Sequence, residues 1–385
     1  MYFSKPTLHS PVIITDRHKA AVALRFRELT LGLQFELPMK SRPDAIDIPL
    51  TTVSLQTNFD SYIDISFLPA ATSKRVRLLV DSGNSTLIVP NWEDIAALPN
   101  WKANYEVLGT ATEPWGCPAN VVKGPIRLAT AAGSALQIEG CLFYACTANS
   151  PQSGERTANF GAGCILPWSA SGWNTPPGLG VTLQAPLSYA TGYTCVEFDY
   201  EASANVLAGN AAPKIATGSY LTLYKTAPGG FLMMSVVAGI EWMALVAKSL
   251  SIGAERTSWP DPAPLPIAII DTGGGPVFLT DPTNRVSNSQ WPDPVQNPEW
   301  TIGSTNCHSI DDRISITLGD DASEFNYEIA PASLPVSARG LTLVMCTDNY
   351  YMMGNNGMNI GGLSALETRI LIDYAGARVG LQAKT

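Results

Sequence analysis

Two stretches of this chain repeat one another at half-chain spacing. Val76–Pro90 reads VRLLVDSGNSTLIVP and Pro266–Thr280 reads PIAIIDTGGGPVFLT. Both follow one pattern: three apolar residues, Asp, Ser or Thr, Gly, three variable residues, three apolar residues. Their aspartates, Asp81 and Asp271, stand 190 positions apart in a chain of 385. A looser echo follows each copy, NFGAGCIL at Asn159–Leu166 and MNIGGLSAL at Met358–Leu366, each a Gly-bearing apolar stretch about 80 to 90 residues beyond its Asp. Self-similarity on this scale implies two related lobes rather than unrelated domains. The expected division is an N-terminal segment over 1–45, a first lobe over 46–213 and a second over 214–385.

Short apolar or alternating runs bounded by Gly, Pro, Asn and Asp recur along the whole chain, among them Tyr62–Phe67, Ile126–Leu128, Phe231–Val237, Ile314–Leu318 and Arg369–Ile372. Such runs predict strands, and the class is all-β. Helix is expected only over Trp92–Leu98, Ile240–Lys248 and Gly362–Glu367. With 32 Gly, 29 Pro and only 15% charged residues, the composition suits turn-rich β structure better than a helical bundle or charge-driven disorder. The Pro-rich stretches Trp259–Pro266 and Asp281–Pro298 are expected as surface loops.

Other classes fall away on charge and on scarce residue types. A net charge of −9 disfavours a nucleic-acid partner, because an anionic surface gains nothing from phosphate. The uncharged segment Thr157–Val196 holds four Pro and six Gly, which excludes a membrane helix, so no membrane partner is expected. Three histidines, His9, His18 and His308, leave little for a metal cage or a His relay. The seven cysteines show no CxxC spacing, so no metal is expected.

An Asp between two apolar runs needs an explanation, since carboxylates are seldom buried uncompensated. A single Asp-Ser-Gly would be a strand-to-turn cap. Two copies in related lobes can meet at a two-fold axis and bring Asp81 and Asp271 together. Carboxyls that close share a proton, one serving as general base and the other as general acid. A water held between them can attack an amide carbonyl. Ser82 and Thr272 would tie the two loops across the axis, while Gly83 and Gly273 let backbone N–H groups approach the carboxylates.

On these motifs, from about Asp47 to Gln382, the chain resembles the pepsin-like aspartic endopeptidases, bilobal β proteins with one Asp-[Thr/Ser]-Gly triplet per lobe. Met358–Gln382 resembles the C-terminal element of that family. The resemblance implies the pepsin-like fold with a shared inter-lobe sheet, cleavage of extended polypeptides, pepstatin sensitivity, no cofactor and a monomeric enzyme. It also implies a disulfide between Cys307 and Cys346.

The departures from the family are specific. Asn84 and Gly274 follow the two triplets where the family usually has hydroxyl residues that donate to the outer carboxylate oxygens. Asn84 keeps an amide donor and Gly274 has none, so Asp271 is expected to lack a donor and activity to move toward less acidic pH. The flap of the family carries a Tyr-Gly, and the best hairpin match here puts Trp115-Gly116 at that position, over Ile88, with Tyr105 as the rival aromatic. A catalytically silent pepsin-fold binding or inhibitor protein is the alternative that these drifted loops support.

The N-terminal segment carries seven Lys/Arg against four acids, a local +3 beside −12 for the rest of the chain. Two readings stay open. It is a basic prosegment lying on an acidic body, or Leu29–Leu37 is a permanent strand of the inter-lobe sheet. No basic, apolar and small-residue signal pattern opens the chain, and a cytoplasmic location is the expectation.

Overall fold

The computed structural model describes residues 44–54, 59–69, 74–163, 174–200, 214–237, 243–253, 255–258, 267–273, 277–280, 307–310, 312–319, 323–329, 343–346, 357–361 and 365–384. The readings for 1–43, including the strand over Leu29–Leu37, and the two Pro-rich loops lie outside them.

The chain is built almost wholly of strands. In the first half these are β1 (Ala45–Ser54), β2 (Phe59–Ser66), β3 (Val76–Asp81), β4 (Leu87–Val89), β5 (Glu106–Thr112), β6 (Pro118–Ala129), β7 (Ala135–Cys146), β8 (Asn159–Gly161) and β9 (Cys195–Asp199). The second half supplies β10 (Lys214–Tyr224), β11 (Leu232–Ser235), β12 (Ala244–Ile252), β13 (Glu255–Ser258), β14 (Ile267–Ile270), β15 (Val277–Thr280) and β16 (Cys307–Ile310). It continues with β17 (Ile314–Gly319), β18 (Glu324–Ile329), β19 (Leu343–Cys346), β20 (Gly357–Ile360), β21 (Thr368–Asp373) and β22 (Arg378–Ala383). Among the described residues a short α-helix, α1 (Glu93–Ala96), falls inside Trp92–Leu98, with Glu93 and Asp94 in its first turn where the helix dipole favours acids.

The internal repeat of the sequence is a repeat of topology. One sheet contains the order β2-β3-β8-β4-β7-β6, and the other contains β12-β14-β20-β15-β19-β16. Position by position the pairings match. β8 runs parallel to β3 and antiparallel to β4, as β20 does to β14 and β15. The first sheet continues past β2 through β1, β10, β9, β21, β22 and β11, so strands from both ends of the chain share it. Glu197 on β9 is fully buried at that junction, held by Arg369 Nε at 2.6 Å and Tyr224 Oη at 2.6 Å. One apolar core of Ile, Leu, Val and Phe side chains runs through both halves.

The helix expected over Ile240–Lys248 is instead the strand β12. Leu245 with Ala247, and Leu250 with Ile252, are two alternating runs out of phase, which in sequence mimic a helical period. A bulge between Ala247 and Ser249 absorbs the phase slip and keeps these side chains buried.

Candidate active site

Each Asp-[Ser/Thr]-Gly triplet lies at the end of a largely buried apolar strand. β3 alternates Leu78 and Val80 into the core and ends on Asp81, while β14 ends at Ile270, one residue before Asp271. The following turn leads into β4 or β15, and the Gly-bearing strand β8 or β20 slots between the two legs. Backbone bonds fix the insertion: Ala162 N donates to Asp81 O at 2.8 Å, and Asp271 N donates to Ile360 O at 3.0 Å. Gly161 and Gly163 are required there, because a Cβ on either would lie under 2.5 Å from the backbone of Thr86 or Ser82.

The two loops meet. The carboxyls of Asp81 and Asp271 lie within hydrogen-bonding reach of each other. Gly83 and Gly273 face the opposite carboxyl so closely that a Cβ on either would lie 2.6 Å from its Cγ. The braces are reciprocal. Ser82 N donates to Thr272 Oγ1 at 3.0 Å and Thr272 N donates to Ser82 Oγ at 2.9 Å. Ser82 Oγ donates on to Ile270 O at 2.8 Å, and Thr272 Oγ1 to Val80 O at 3.4 Å. Each carboxylate accepts its own loop's glycine N–H, Gly83 N to Asp81 Oδ1 at 2.8 Å and Gly273 N to Asp271 Oδ1 at 3.0 Å. Burial pushes the Asp81 carboxyl well above the ordinary carboxylate range. The charge of Asp271 adds to this, and the Asn159 and Gly83 donors oppose it. A pair so placed retains one proton, and its titration belongs to the pair rather than to either residue.

The outer donors differ from the sequence expectation. Asn159 Nδ2 donates to Asp81 Oδ2 at 2.7 Å, and Asn359 Nδ2 donates to Asp271 Oδ2 at 2.6 Å. Asp271 therefore does not lack a donor, because a side chain from β20 replaces the one Gly274 cannot supply. Gly274 itself lies outside the described residues. Asn84 does not reach Asp81; its Nδ2 donates to Asn159 Oδ1 at 2.8 Å and to Thr86 O at 3.0 Å. The signal for this was in the two echoes, NFGAG and MNIGG, each of which carries an Asn ahead of its glycines.

Trp115 and Gly116 lie in the turn of the β5/β6 hairpin, where Thr112 pairs with Pro118. Gly116 has φ of +92°, a conformation that favours glycine. Trp115 packs half-buried against a cluster containing Ile88, Tyr144 and Leu183. Tyr105 is not a flap residue: it is buried, its hydroxyl donates to Pro125 O at 3.0 Å and accepts from Leu68 N at 2.7 Å. Glu113, which sequence reasoning passed over, shapes the turn by accepting from Trp115 N at 2.9 Å and Cys117 N at 2.6 Å.

Among the described residues one metal-type group converges, Glu113 with Cys117 and Cys146. Both thiols are buried and pushed upward by that burial, and the carboxylate is already engaged by its own turn. The arrangement closes a turn, and thiols held in the protonated form are poor metal ligands. Cys307 and Cys346 are register partners across β16 and β19; their side chains lie outside the described residues.

No family-level sequence profile and no curated protein sequence matches this chain. Solved structures do. The crystal structure of aspartic proteinase from Irpex lacteus superposes with a TM-score of 0.57 at 14% identity, covering 89% of this chain and 98% of that one. Basic 7S globulin from soybean superposes with a TM-score of 0.54 at 11% identity, over 89% of this chain and 97% of the globulin. The chain is thus nearly all-β and has the fold of the pepsin-like aspartic proteinases. At these identities the likeness defines the fold alone.

Proposed function

We propose that this protein is an aspartic endopeptidase that hydrolyses peptide bonds in extended polypeptides through water activated by Asp81 and Asp271. One observation carries the reading: two carboxyls from repeated loops, Asp81 buried and Asp271 half-buried, face each other between reciprocal Ser82–Thr272 bonds. The ionised member takes a proton from the bound water as its oxygen attacks the scissile carbonyl carbon. The protonated member donates a hydrogen bond to the carbonyl oxygen as charge develops there. Breakdown of the tetrahedral intermediate returns a proton to the departing amine. No step calls on a metal or cofactor.

Trp115 and Gly116 serve as the flap over an extended substrate with apolar side chains beside the scissile bond. The protein works as a cytoplasmic monomer on peptide or protein substrates, with no nucleic-acid or membrane partner. Activity is displaced toward less acidic pH. The ground for this is the burial of Asp81, not a missing donor at Asp271. The second reading, a catalytically silent binding or inhibitor protein of the same fold, draws on the globulin neighbour.

Casein hydrolysis across about pH 3–8 separates the two readings. The endopeptidase reading requires cleavage that pepstatin blocks and Asp81→Asn removes. Absence of cleavage throughout that range supports the silent reading instead, and a wild-type profile with both limbs below about pH 4 overturns the displacement.

A further inference from the structure

The two-fold relation between the halves extends to a pair of asparagines. Asn159 is the register partner of Leu79, two residues before Asp81, and of Ile88, seven after it. Asn359 is the partner of Ile269 and Phe278, at the same offsets from Asp271. Both are buried, at 3% and 2% exposure, and both aim Nδ2 at the outer oxygen of their aspartate. An amide can also present its oxygen, so the direction of each bond depends on what holds the far end.

In the first half the far end is held. The Thr86 backbone N–H can only donate, and it donates to Asn84 Oδ1 at 3.1 Å, joined by Thr86 Oγ1 at 2.9 Å. That fixes Asn84 Nδ2 toward Asn159 Oδ1 at 2.8 Å, which in turn fixes Asn159 Nδ2 toward Asp81. The chain has one polarity from backbone to carboxylate, and Asp81 Oδ2 is obliged to accept. In the second half the position corresponding to Asn84 is Gly274, which has no side chain. Asn359 Oδ1 is buried and has no hydrogen-bond partner among the described residues. A buried carbonyl oxygen left unpaired is costly and calls for an explanation.

We infer that Asn159 and Asn359 are the positioning residues of the aspartate pair and that they act unequally. Asn84 locks Asn159 as a permanent donor to Asp81, whereas Asn359 is free to reverse its amide and accept from a protonated Asp271. The unpaired oxygen is then the resting half of a two-way partner. It can serve Asp271 as donor or as acceptor, while Asp81 is served by a donor only, a bond stronger to the charged carboxylate than to its neutral form. This rests on the endopeptidase reading for its purpose, though not for its geometry.

The test titrates the pair directly. Protein labelled with carboxyl-13C aspartate, followed by NMR against pH, reads the ionisation of the pair whether or not the protein cleaves anything, and casein cleavage is measured in parallel. Asn159→Ala should raise an ionisation of the pair by about one pH unit, tenfold in the equilibrium, because the charged form loses the stronger bond. Asn84→Ala, at a half-buried site, should move it the same way by about half as much, and it carries the test if Asn159→Ala does not fold. Asn359→Ala should shift neither ionisation by more than about 0.3 unit, since both forms lose a partner, yet it should still slow cleavage about tenfold.

Equal shifts for Asn159→Ala and Asn359→Ala, or an immobile titration in both Asn159→Ala and Asn84→Ala, overturn the inference. A wild type that never cleaves while these shifts appear as stated overturns the functional reading and leaves the inference standing.

Discussion

The two halves share a strand order down to the register partner of single residues, yet they differ in the polar side chains that hold their carboxyl groups. In the first half a relay of Thr86, Asn84 and Asn159 ends on Asp81. In the second, Asn359 is the side-chain donor to Asp271 among the described residues. The topology is set by backbone pairing and apolar burial, which tolerate near-complete sequence drift. The chemistry depends on a few buried polar atoms, and there one substitution, Asn to Gly after the triplet, separates the halves. Duplication supplies two equal carboxyls, and local hydrogen bonding makes them unequal.

The sharpest way to break the comparison is to remove one carboxyl at a time. If the halves act as one unit, Asp81→Asn and Asp271→Asn should each cost on the order of 10⁴-fold in kcat/KM. The double variant should cost no more than either alone, because groups that act together are strongly non-additive. Steady-state cleavage of a quenched peptide measures this. Additive losses would mean that each half contributes independently and that no proton is shared.

Much of this was legible in the sequence for physical reasons. The triplets announce themselves because a buried Asp inside an apolar repeat has few bland explanations. The strands of the first half announce themselves because Ile63, Ile65, Leu78 and Val80 alternate. Two features were hidden. The bulge in β12 disguises a strand as a helix, since a one-residue slip converts a period of two into a spacing of three at Ala247–Leu250. The roles of Asn159 and Asn359 were hidden because a donor 78 or 88 residues from its acceptor leaves no local trace. Only the alignment of the two echoes, with an Asn in each, points to them. Trp115-Gly116 could be placed on a hairpin from the return strand VVKGPIRL that follows it, whereas the part played by Glu113 depends on which backbone N–H groups the turn aims inward.

A second difference between the halves lies beneath the site. Asp60 on β2 is buried, accepts from Tyr62 Oη at 3.1 Å, and is pushed up to about 6 by that burial, with the Tyr62 bond opposing. Counting along the sequence from Tyr62 and Ala244, which pair with Leu79 and Ile269, the position that answers to Asp60 is Trp242, which lies outside the described residues. In the unfolded chain Asp60 ionises near pH 4. Between about pH 4 and 6 the folded state therefore keeps a proton that the unfolded state has lost, and stability falls as pH rises through that window. Asp60→Asn, which keeps an acceptor for Tyr62, should be neutral at pH 4 and stabilise by about 3 kcal/mol at pH 7.5. Urea unfolding at the two pH values measures it, and an equal effect at both would show that the carboxyl is not held neutral by burial.

The smallest expected effect probes the braces, where the halves look most alike. Ser82 Oγ accepts from Thr272 N at 2.9 Å and donates to Ile270 O at 2.8 Å, two short bonds. Thr272 Oγ1 accepts from Ser82 N at 3.0 Å, but its bond to Val80 O is 3.4 Å and correspondingly weak. Both side chains are buried, so deleting either hydroxyl leaves a buried N–H unpaired, a loss of about 1–3 kcal/mol. Ser82→Ala removes a second good bond as well, whereas Thr272→Val keeps the side-chain shape and removes a poor one. Ser82→Ala should therefore destabilise by about 2 kcal/mol and Thr272→Val by about 1 in urea unfolding at pH 7. The reverse order would place the stronger brace in the second half, and would tie the asymmetry of the molecule to its braces rather than to the asparagines behind them.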